Sequence, residues 1–543
     1  MTTGYVPFCF KVGKQTPVFK SGNITVSNYR PITVCTSLGK ILEKVVRDRV
    51  ETFLTENKIL NSKQFGFRRN HSTNHAMINL FENTLEGLDN NLKVGGIFLD
   101  ISKAFDTVNH DILLRKLEYY GFRGTTLIWF ESYLKNRHQY VSIKNSKSNT
   151  YSPKYGVPQG ATLAPILFIL YMNDILHSSS IFEFSMYADD TCLTISTNTE
   201  IYDETLRIEL DKVNEWFNCN ELLLNIDKTD YLMFGPKYNL KYVNTTIDKY
   251  DITDLHSAVP RYLISDCNST NQRNTNPRTT PIPNEKEFIL KDLHSITPLY
   301  VINEHFQTND GTITTENSSA VKYLGVHIDK DLKFEKHIKI TNCKTARMIN
   351  SFWKCPIEDT QIKKQLYHAL VESHLNYGIL LYASNFHNNV SDFTTNIRST
   401  PSNLKQLAFT QNKIIRAILR IPKYDKHNKI YNSTSPLYKK LHILKLEDLY
   451  RYNLGILCHN VYYSKTCPTS LCDFFTLRTD IVDRNTRGSE FDFYYKTTRL
   501  NSTQKCPSIA GAKFWNSLPT CIKSIKSLAK FKIELKILLI GKY

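Results

Sequence analysis

Between Phe182 and Ile195 the chain alternates apolar and polar residues on both sides of two adjacent acids, in the stretch "FEFSMYADDTCLTI". Phe182, Phe184 and Met186 set a period of two before the acids, and Leu193 and Ile195 resume it after them. The spacing predicts a β-hairpin that turns at Ala188-Asp189-Asp190. Asp tolerates tight bends, so a bare acid pair at a turn is also ordinary turn chemistry. A fold that half-buries two carboxylates there has to give them something to do: ion pairing, acid/base work, or the binding of a divalent cation.

A third acid narrows that choice. "VGGIFLDIS" (94–102) reads as a short buried strand ending near Asp100, and "HDILLRKLEYYG" (110–121) as a helix closed by Gly121. Folds that mix strands and helices keep their chemistry at strand ends. Three carboxylates meeting there would repel one another, and hard cations such as Mg²⁺ relieve that repulsion while leaving positions open for substrate phosphates. Two such ions roughly 3.5–4 Å apart form the clamp for in-line phosphoryl displacement.

Elsewhere the pattern is mostly helical. Residues 38–60 carry Leu38, Ile41, Leu42, Val45, Val46, Val50 and Leu54 on one helical stripe, with Lys40, Glu43, Lys44, Arg47 and Arg49 on the other face. "GVPQGATLAPILFILYMNDI" (156–175) opens as a Gly/Pro turn and becomes a helix apolar all round, expected to be buried on most sides. Segments 221–235 and 320–329 give helix-end and strand signals. Residues 237–296, rich in Asn, Thr and Pro at their centre, read as a flexible insertion. Residues 358–382 and 404–421 read as helices, and 527–540 as a basic amphipathic one.

A length of 543 residues predicts about three or four lobes. Lys plus Arg number 69 against 51 Asp plus Glu, a formal charge of +18, which favours a polyanion such as nucleic acid or an acidic membrane surface, or describes a merely basic soluble protein. The twelve cysteines form no paired framework and read as reduced thiols of an intracellular protein. Cys467 and Cys472 lack the second pair a zinc knuckle needs, so no structural zinc is expected. The N-terminus has no secretory pattern, and the most apolar window, 161–172, is about half a membrane span and holds Pro165, so a soluble chain is expected.

The blocks "FLDISKAFDTVNHDILLRKL" (98–117), "GVPQGATLAPILFILYMNDI" (156–175), "MYADDTCL" (186–193), "LLLNIDKT" (222–229) and "VKYLGVHID" (321–329) resemble, in sequence and order, palm motifs A to E of reverse transcriptases from non-LTR retrotransposons, LINE and jockey-like elements above all. "VFKSGNITVSNYRPITVCTSLGKILEKVV" (18–46) and "QFGFRRNHST" (64–73) resemble the finger motifs of that family. "GAKFWNSLP" (511–519) and "SLAKFKIELK" (527–536) are similar to its tail.

The resemblance implies an α+β right-hand polymerase: fingers over 1–95, a palm built on an antiparallel sheet over 96–235, a low-complexity insertion over 236–318, a primer grip over 319–335, a helical thumb over 336–425 and a helical C-terminal region over 426–543. It implies RNA-directed DNA synthesis on an RNA template from a DNA primer and deoxynucleoside triphosphates. Two Mg²⁺ ions, or Mn²⁺ in their place, would be held by Asp100, Asp189, Asp190 and the carbonyl of Ile101. Phe105 would stand under the sugar and exclude a 2′-hydroxyl. Arg30, Arg68, Gln159 and Lys228 would serve the nucleotide, with Lys228 assisting the pyrophosphate. Lys20, Gly160 and Gly325 would serve template and primer, and Gly156 would also permit close backbone approach. The basic helix residues Lys363, Lys364, Lys413, Arg416 and Arg420 would face a duplex. An element-encoded RNA-binding protein is a further implied partner, and the nucleus the site of action.

The chain also departs from that family. It starts at the fingers without an endonuclease ahead of them, so target nicking is not assigned to it. Ala161 and Ala164 stand where relatives often carry Ser and Gly, and the insertion is long. Two rival readings follow: a truncated or domesticated RNA-binding relic without catalysis, and a maturase-type reverse transcriptase, which the "GAKFWNSLP" tail counts against.

Overall fold

The computed structural model describes residues 4–20, 23–25, 28–225, 228–235, 320–389, 400–425, 430–463, 467–481 and 490–543. The insertion expected over 237–296 lies outside them. In chain order the elements are β1 (Val12–Phe19), β2 (Tyr29–Val34), α1 (Ser37–Glu56), α2 (Thr73–Asp89), β3 (Lys93–Leu99), α3 (His110–Tyr119), α4 (Thr125–Leu134), β4 (His138–Ile143), β5 (Ser146–Lys147), α5 (Ala164–Tyr171), β6 (Glu183–Tyr187), β7 (Asp190–Thr197), α6 (Tyr202–Cys219), β8 (Asp230–Phe234), β9 (Ala320–Tyr323) and β10 (Val326–Asp329). The helices Glu335–Trp353, Lys405–Leu419, Leu446–Tyr463, Pro507–Ser517 and Leu528–Gly541 are the longest of those that follow.

Two four-stranded sheets organise the first half. One has the order β2-β1-β4-β5, with β1 antiparallel to β2 and parallel to β4. The other, β6-β7-β3-β8, is antiparallel throughout, pairing Ile97 with Leu193, Phe98 with Cys192 and Leu99 with Thr191. Alternation gives this second sheet two faces, and both are covered. Ile97, Leu99, Leu193, Ile195, Phe184 and Met186 share a core with α5, whose residues from Ile166 to Tyr171 are all buried. Val94, Phe98, Cys192 and Leu232 share another with α2, the β9–β10 hairpin and the C-terminal helices. The predicted all-apolar helix is thus α5, with Pro165 in its first turn, where a missing N–H costs nothing.

The stripe read on α1 is rotated. Val46, Val50 and Leu54 are buried as expected, but Leu38, Ile41 and Val45 are exposed, and Glu43, assigned to the charged face, is buried. Its carboxylate accepts the Thr162 N–H at 2.6 Å and the Tyr133 hydroxyl at 2.8 Å, so two strong acceptor contacts outweigh the apolar stripe in setting which face turns inward.

Among the cations expected to face a duplex, Lys363 needs correction. Lys363 is buried and its Nζ lies 3.5 Å from the Ile418 carbonyl, an acceptor otherwise left over at a helix end. Arg416 donates to the carbonyls of Pro422 and Asn432, and Arg420 to that of Cys355. Lys413 sits over the Phe409 ring at 4.5 Å. Only Lys363 is thereby withdrawn from an open face; Arg416 is half-buried, and Lys413 and Arg420 are exposed. The helix read over 358–382 runs from Thr360 to Asn376 through a π-helical stretch at His368–Glu372 and is interrupted at Gly378, φ +70°.

The C-terminal region holds α2 at two points. Arg499 donates to the carbonyls of Leu88 and Asp89, while the Asp89 carboxylate accepts the Leu500 N–H at 2.8 Å and the Thr503 hydroxyl at 3.0 Å. About two turns earlier, buried Glu82 accepts the N–H and the hydroxyl of Ser508 at 2.6 and 2.8 Å, in the first turn of the Pro507–Ser517 helix. Burial pushes the Glu82 carboxyl up to about 7 against the pull of those hydrogen bonds. A folded value above the unfolded one means the native state binds the extra proton, so the Glu82 contribution is fully present below about pH 4.5 and lost as pH rises through 7. The melting temperature of the wild type relative to Glu82→Gln should accordingly fall between pH 5 and 8, by on the order of 1–3 kcal/mol in stability. A flat difference across that range would remove Glu82 from the account.

Candidate active site

β3 ends at Leu99 paired with Thr191, and extending that register by one residue sets Asp100 opposite Asp190. Opposed residues of an antiparallel pair share a face, here the one carrying Phe98 and Cys192. Ala188, at φ +60°, and Asp189 make the turn between β6 and β7, as the alternation predicted. The Asp100 carbonyl accepts the Asn225 N–H at 2.8 Å and Ile101 bridges Leu224, so the strand end is also tied to the segment that precedes β8.

The three acids feel one another. Burial leads in raising the Asp189 carboxyl above the usual range, its own backbone N–H opposes, and Asp100 adds repulsion; Arg30 and Lys20 pull it down. Asp190 is exposed by surface area yet ringed by protein, so desolvation still leads. The charges of Asp189 and Asp100 add to it, and the carboxyl is pushed up to about 6 against Lys20 and Lys322. Lys228 Nζ stands 3.8 Å from Asp100 Oδ2. Lys20 just past β1, Arg30 of β2 and Lys228 before β8 thus place positive charge around the cluster.

Phe105 stacks on Phe168 of α5, with centroids 4.7 Å apart and planes at 24°, and meets Phe67 edge-on at 6.3 Å. Gln159 Nε2 donates to both oxygens of Asp106 at 3.0 Å, while its carbonyl accepts the Thr33 N–H of β2 at 2.7 Å. Gly160, at φ +103°, approaches the Thr33 carbonyl so closely that a Cβ would lie 2.9 Å from it, so the near neighbour of this glycine is the β2 backbone. A Cβ at Gly156 would lie 2.8 Å from the Asp106 carbonyl. Arg68 turns inward, its Nη1 donating to the carbonyls of Asn61 and Gln64, and burial lowers its pKa. Gly325 sits at φ +81° in the β9–β10 turn above the Tyr377 ring.

Sequence reasoning missed Asp106, which orients Gln159, and Glu43, which ties α1 to Thr162. Both partners lie far off in the chain, and nothing periodic marks them.

The donor set suits a hard divalent cation: of three carboxylates on adjoining strand ends, Asp189 and Asp190 are raised by burial and by neighbouring acids and gain from added positive charge. As they stand, no three His, Cys, Asp or Glu side chains among the described residues are grouped closely enough to hold a metal ion.

An antiparallel sheet carrying acids at its strand ends, between a second sheet before it and helices after it, is the arrangement of a nucleotide-polymerising palm. The chain matches the family described as "Reverse transcriptase (RNA-dependent DNA polymerase)" over residues 14–328, and it belongs to that family. It is 27% identical over 414 residues to the "Probable RNA-directed DNA polymerase from transposon BS" of Drosophila melanogaster, covering 73% of this chain and 37% of that protein. It is 30% identical over 247 residues to the "RNA-directed DNA polymerase from mobile element jockey" of the same species, covering 44% of this chain and 27% of that protein. The matched length is thus well under half of either relative. Among solved structures, apo telomerase from Candida tropicalis aligns with a TM-score of 0.37 at 12% identity, covering 87% of this chain and 68% of that one. Among the described residues no helix is long and apolar enough to cross a membrane.

Proposed function

We propose that the chain is the RNA-directed DNA polymerase of a non-LTR retrotransposon, extending a DNA primer on an RNA template with deoxynucleoside triphosphates. The observation that carries this reading is that Asp100 stands opposite Asp190 at adjoining strand ends, with Asp189 in the turn beside them, inside the matched family region.

Asp100, Asp189 and Asp190 would hold divalent magnesium. When bound, that metal supplies the positive charge that makes the primer 3′-hydroxyl a better nucleophile and steadies the leaving pyrophosphate. Lys228, beside Asp100, brings a mobile ammonium to the same edge and can follow developing phosphate charge. Lys20 and Arg30 extend a positive rim toward the triphosphate or the template. Gln159, clamped by Asp106, offers a fixed backbone and side chain next to the nascent base pair. Phe105, braced by Phe168, gives the sugar a rigid floor. On this reading the lobes follow the order fingers, palm, primer grip and thumb along the chain.

The test is extension of a DNA primer on an RNA template by the purified chain, with and without Mg²⁺. Metal-dependent extension is the expected result. A folded protein that binds template–primer and extends nothing would instead be the noncatalytic RNA-binding relic.

A further inference from the structure

The motif "QFGFRRNHST" contributes more than Arg68. Its first residue, Gln64, is 1% exposed, and its Oε1 accepts two backbone N–H groups, that of Gly66 at 2.8 Å and that of Ala188 at 3.0 Å. Both partners are donors, which fixes this atom as the carbonyl oxygen rather than the amide nitrogen. Ala188 is the left-handed residue of the acid turn, immediately before Asp189. The backbone around Gln64 reinforces the contact: Met186 N–H donates to the Lys63 carbonyl at 3.0 Å and Phe65 N–H to the Met186 carbonyl at 2.8 Å. Gly66 is required there, because a Cβ would stand 2.3 Å from the Ala188 nitrogen. The other end of the carboxamide, Nε2, is buried without a partner among the described residues. A side chain serving only to fill space would avoid that desolvation, as Leu or Met does.

We propose that Gln64 is the positioning residue of the acid hairpin. Its carbonyl oxygen holds the strained turn from which Asp189 and Asp190 project, and so sets where the two carboxylates stand relative to Asp100. The inference rests on the polymerase reading for its consequence but not for its geometry. Gln64 touches neither nucleotide nor primer in this role, so its loss should reach turnover and metal use rather than substrate binding.

The experiment compares wild type with Gln64→Leu, which keeps size and removes the acceptor, Gln64→Asn, which shortens the reach, and Gln64→Glu, which keeps an acceptor oxygen. Amide exchange of the peptide spanning 185–190 is read by mass spectrometry, and primer extension by steady-state kinetics over a Mg²⁺ series. Gln64→Leu and Gln64→Asn should speed exchange in that peptide roughly tenfold or more. They should lower kcat by a similar factor and raise the Mg²⁺ needed for half-maximal rate, with KM for the deoxynucleotide and binding of template–primer held. Gln64→Glu should retain the amide protection. Unchanged exchange and unchanged kcat in Gln64→Leu and Gln64→Asn would overturn the proposal. If Gln64→Leu fails to fold, Gln64→Asn decides alone. If the wild type extends nothing, the polymerase reading fails by itself, and the exchange data still decide whether Gln64 holds the turn.

Discussion

Exchanging Asp189 for asparagine is expected to abolish primer extension, by roughly 10³-fold or more, about 4 kcal/mol of barrier. The substitution keeps the shape of the turn and removes one of the three charges available to a cation. Stability should move the other way. The folded Asp189 carboxyl lies above its unfolded value because burial and Asp100 disfavour its ionised form, so at neutral pH that ionised form costs stability and asparagine removes the cost. The variant should therefore melt at or above the wild-type temperature without Mg²⁺, and gain less than wild type when Mg²⁺ is added. Extension assays beside thermal melts with and without the metal check both arms. Activity within tenfold of wild type would sink the assignment of Asp189.

Phe105→Ala should let ribonucleotides in. The ring is held from one side by Phe168 at 4.7 Å and approached edge-on by Phe67, so it cannot swing aside for an extra hydroxyl. Discrimination between substrates that differ by one small group in a pocket runs to roughly 10–200-fold. Removing the ring should raise the ratio of ribonucleotide to deoxynucleotide efficiency by that order, with deoxynucleotide turnover reduced much less. Single-nucleotide extension with each triphosphate in turn measures the ratio. An unchanged ratio would return Phe105 to the role of a core aromatic bridging the motif to α5.

The parts of this molecule legible in the sequence are those with a local rhythm. Alternation around Asp189 and Asp190 located the hairpin, an apolar run behind a proline located α5, and Asp100 fell at its strand end because apolar residues ran up to it. The α+β right-hand architecture and the reverse transcriptase family came instead from the resemblance of the motif blocks, in sequence and order, to that family. What could not be read were contacts made across the chain. Gln159 and Asp106 are 53 residues apart, Thr162 and Glu43 119, Ala188 and Gln64 124, and Ser508 and Glu82 426. None leaves a periodic trace. The same blindness misjudged the stripe of α1, where Glu43 turned inward for two hydrogen bonds, and the cation Lys363, which is buried beside a helix-end carbonyl. Residue type announced a charge in each case, and only the packing decided where it was used.

The grip of the C-terminal region on α2 bears on how the protein comes into being. α2 leaves the ribosome early, carrying Glu82, Leu88 and Asp89, but their partners Ser508 and Arg499 are made more than four hundred positions afterwards. Domains elsewhere fold in order as they emerge. Here α2 and the β9–β10 hairpin can cover the back of the sheet first, and the C-terminal clamp on α2 closes only when translation is nearly finished, through contacts so distant in sequence that they form slowly. A chaperone holding the nascent chain has a long interval in which to act, and any message cut short before codon 499 would yield a product that carries the residues of its active-site hairpin and lacks the clamp on α2.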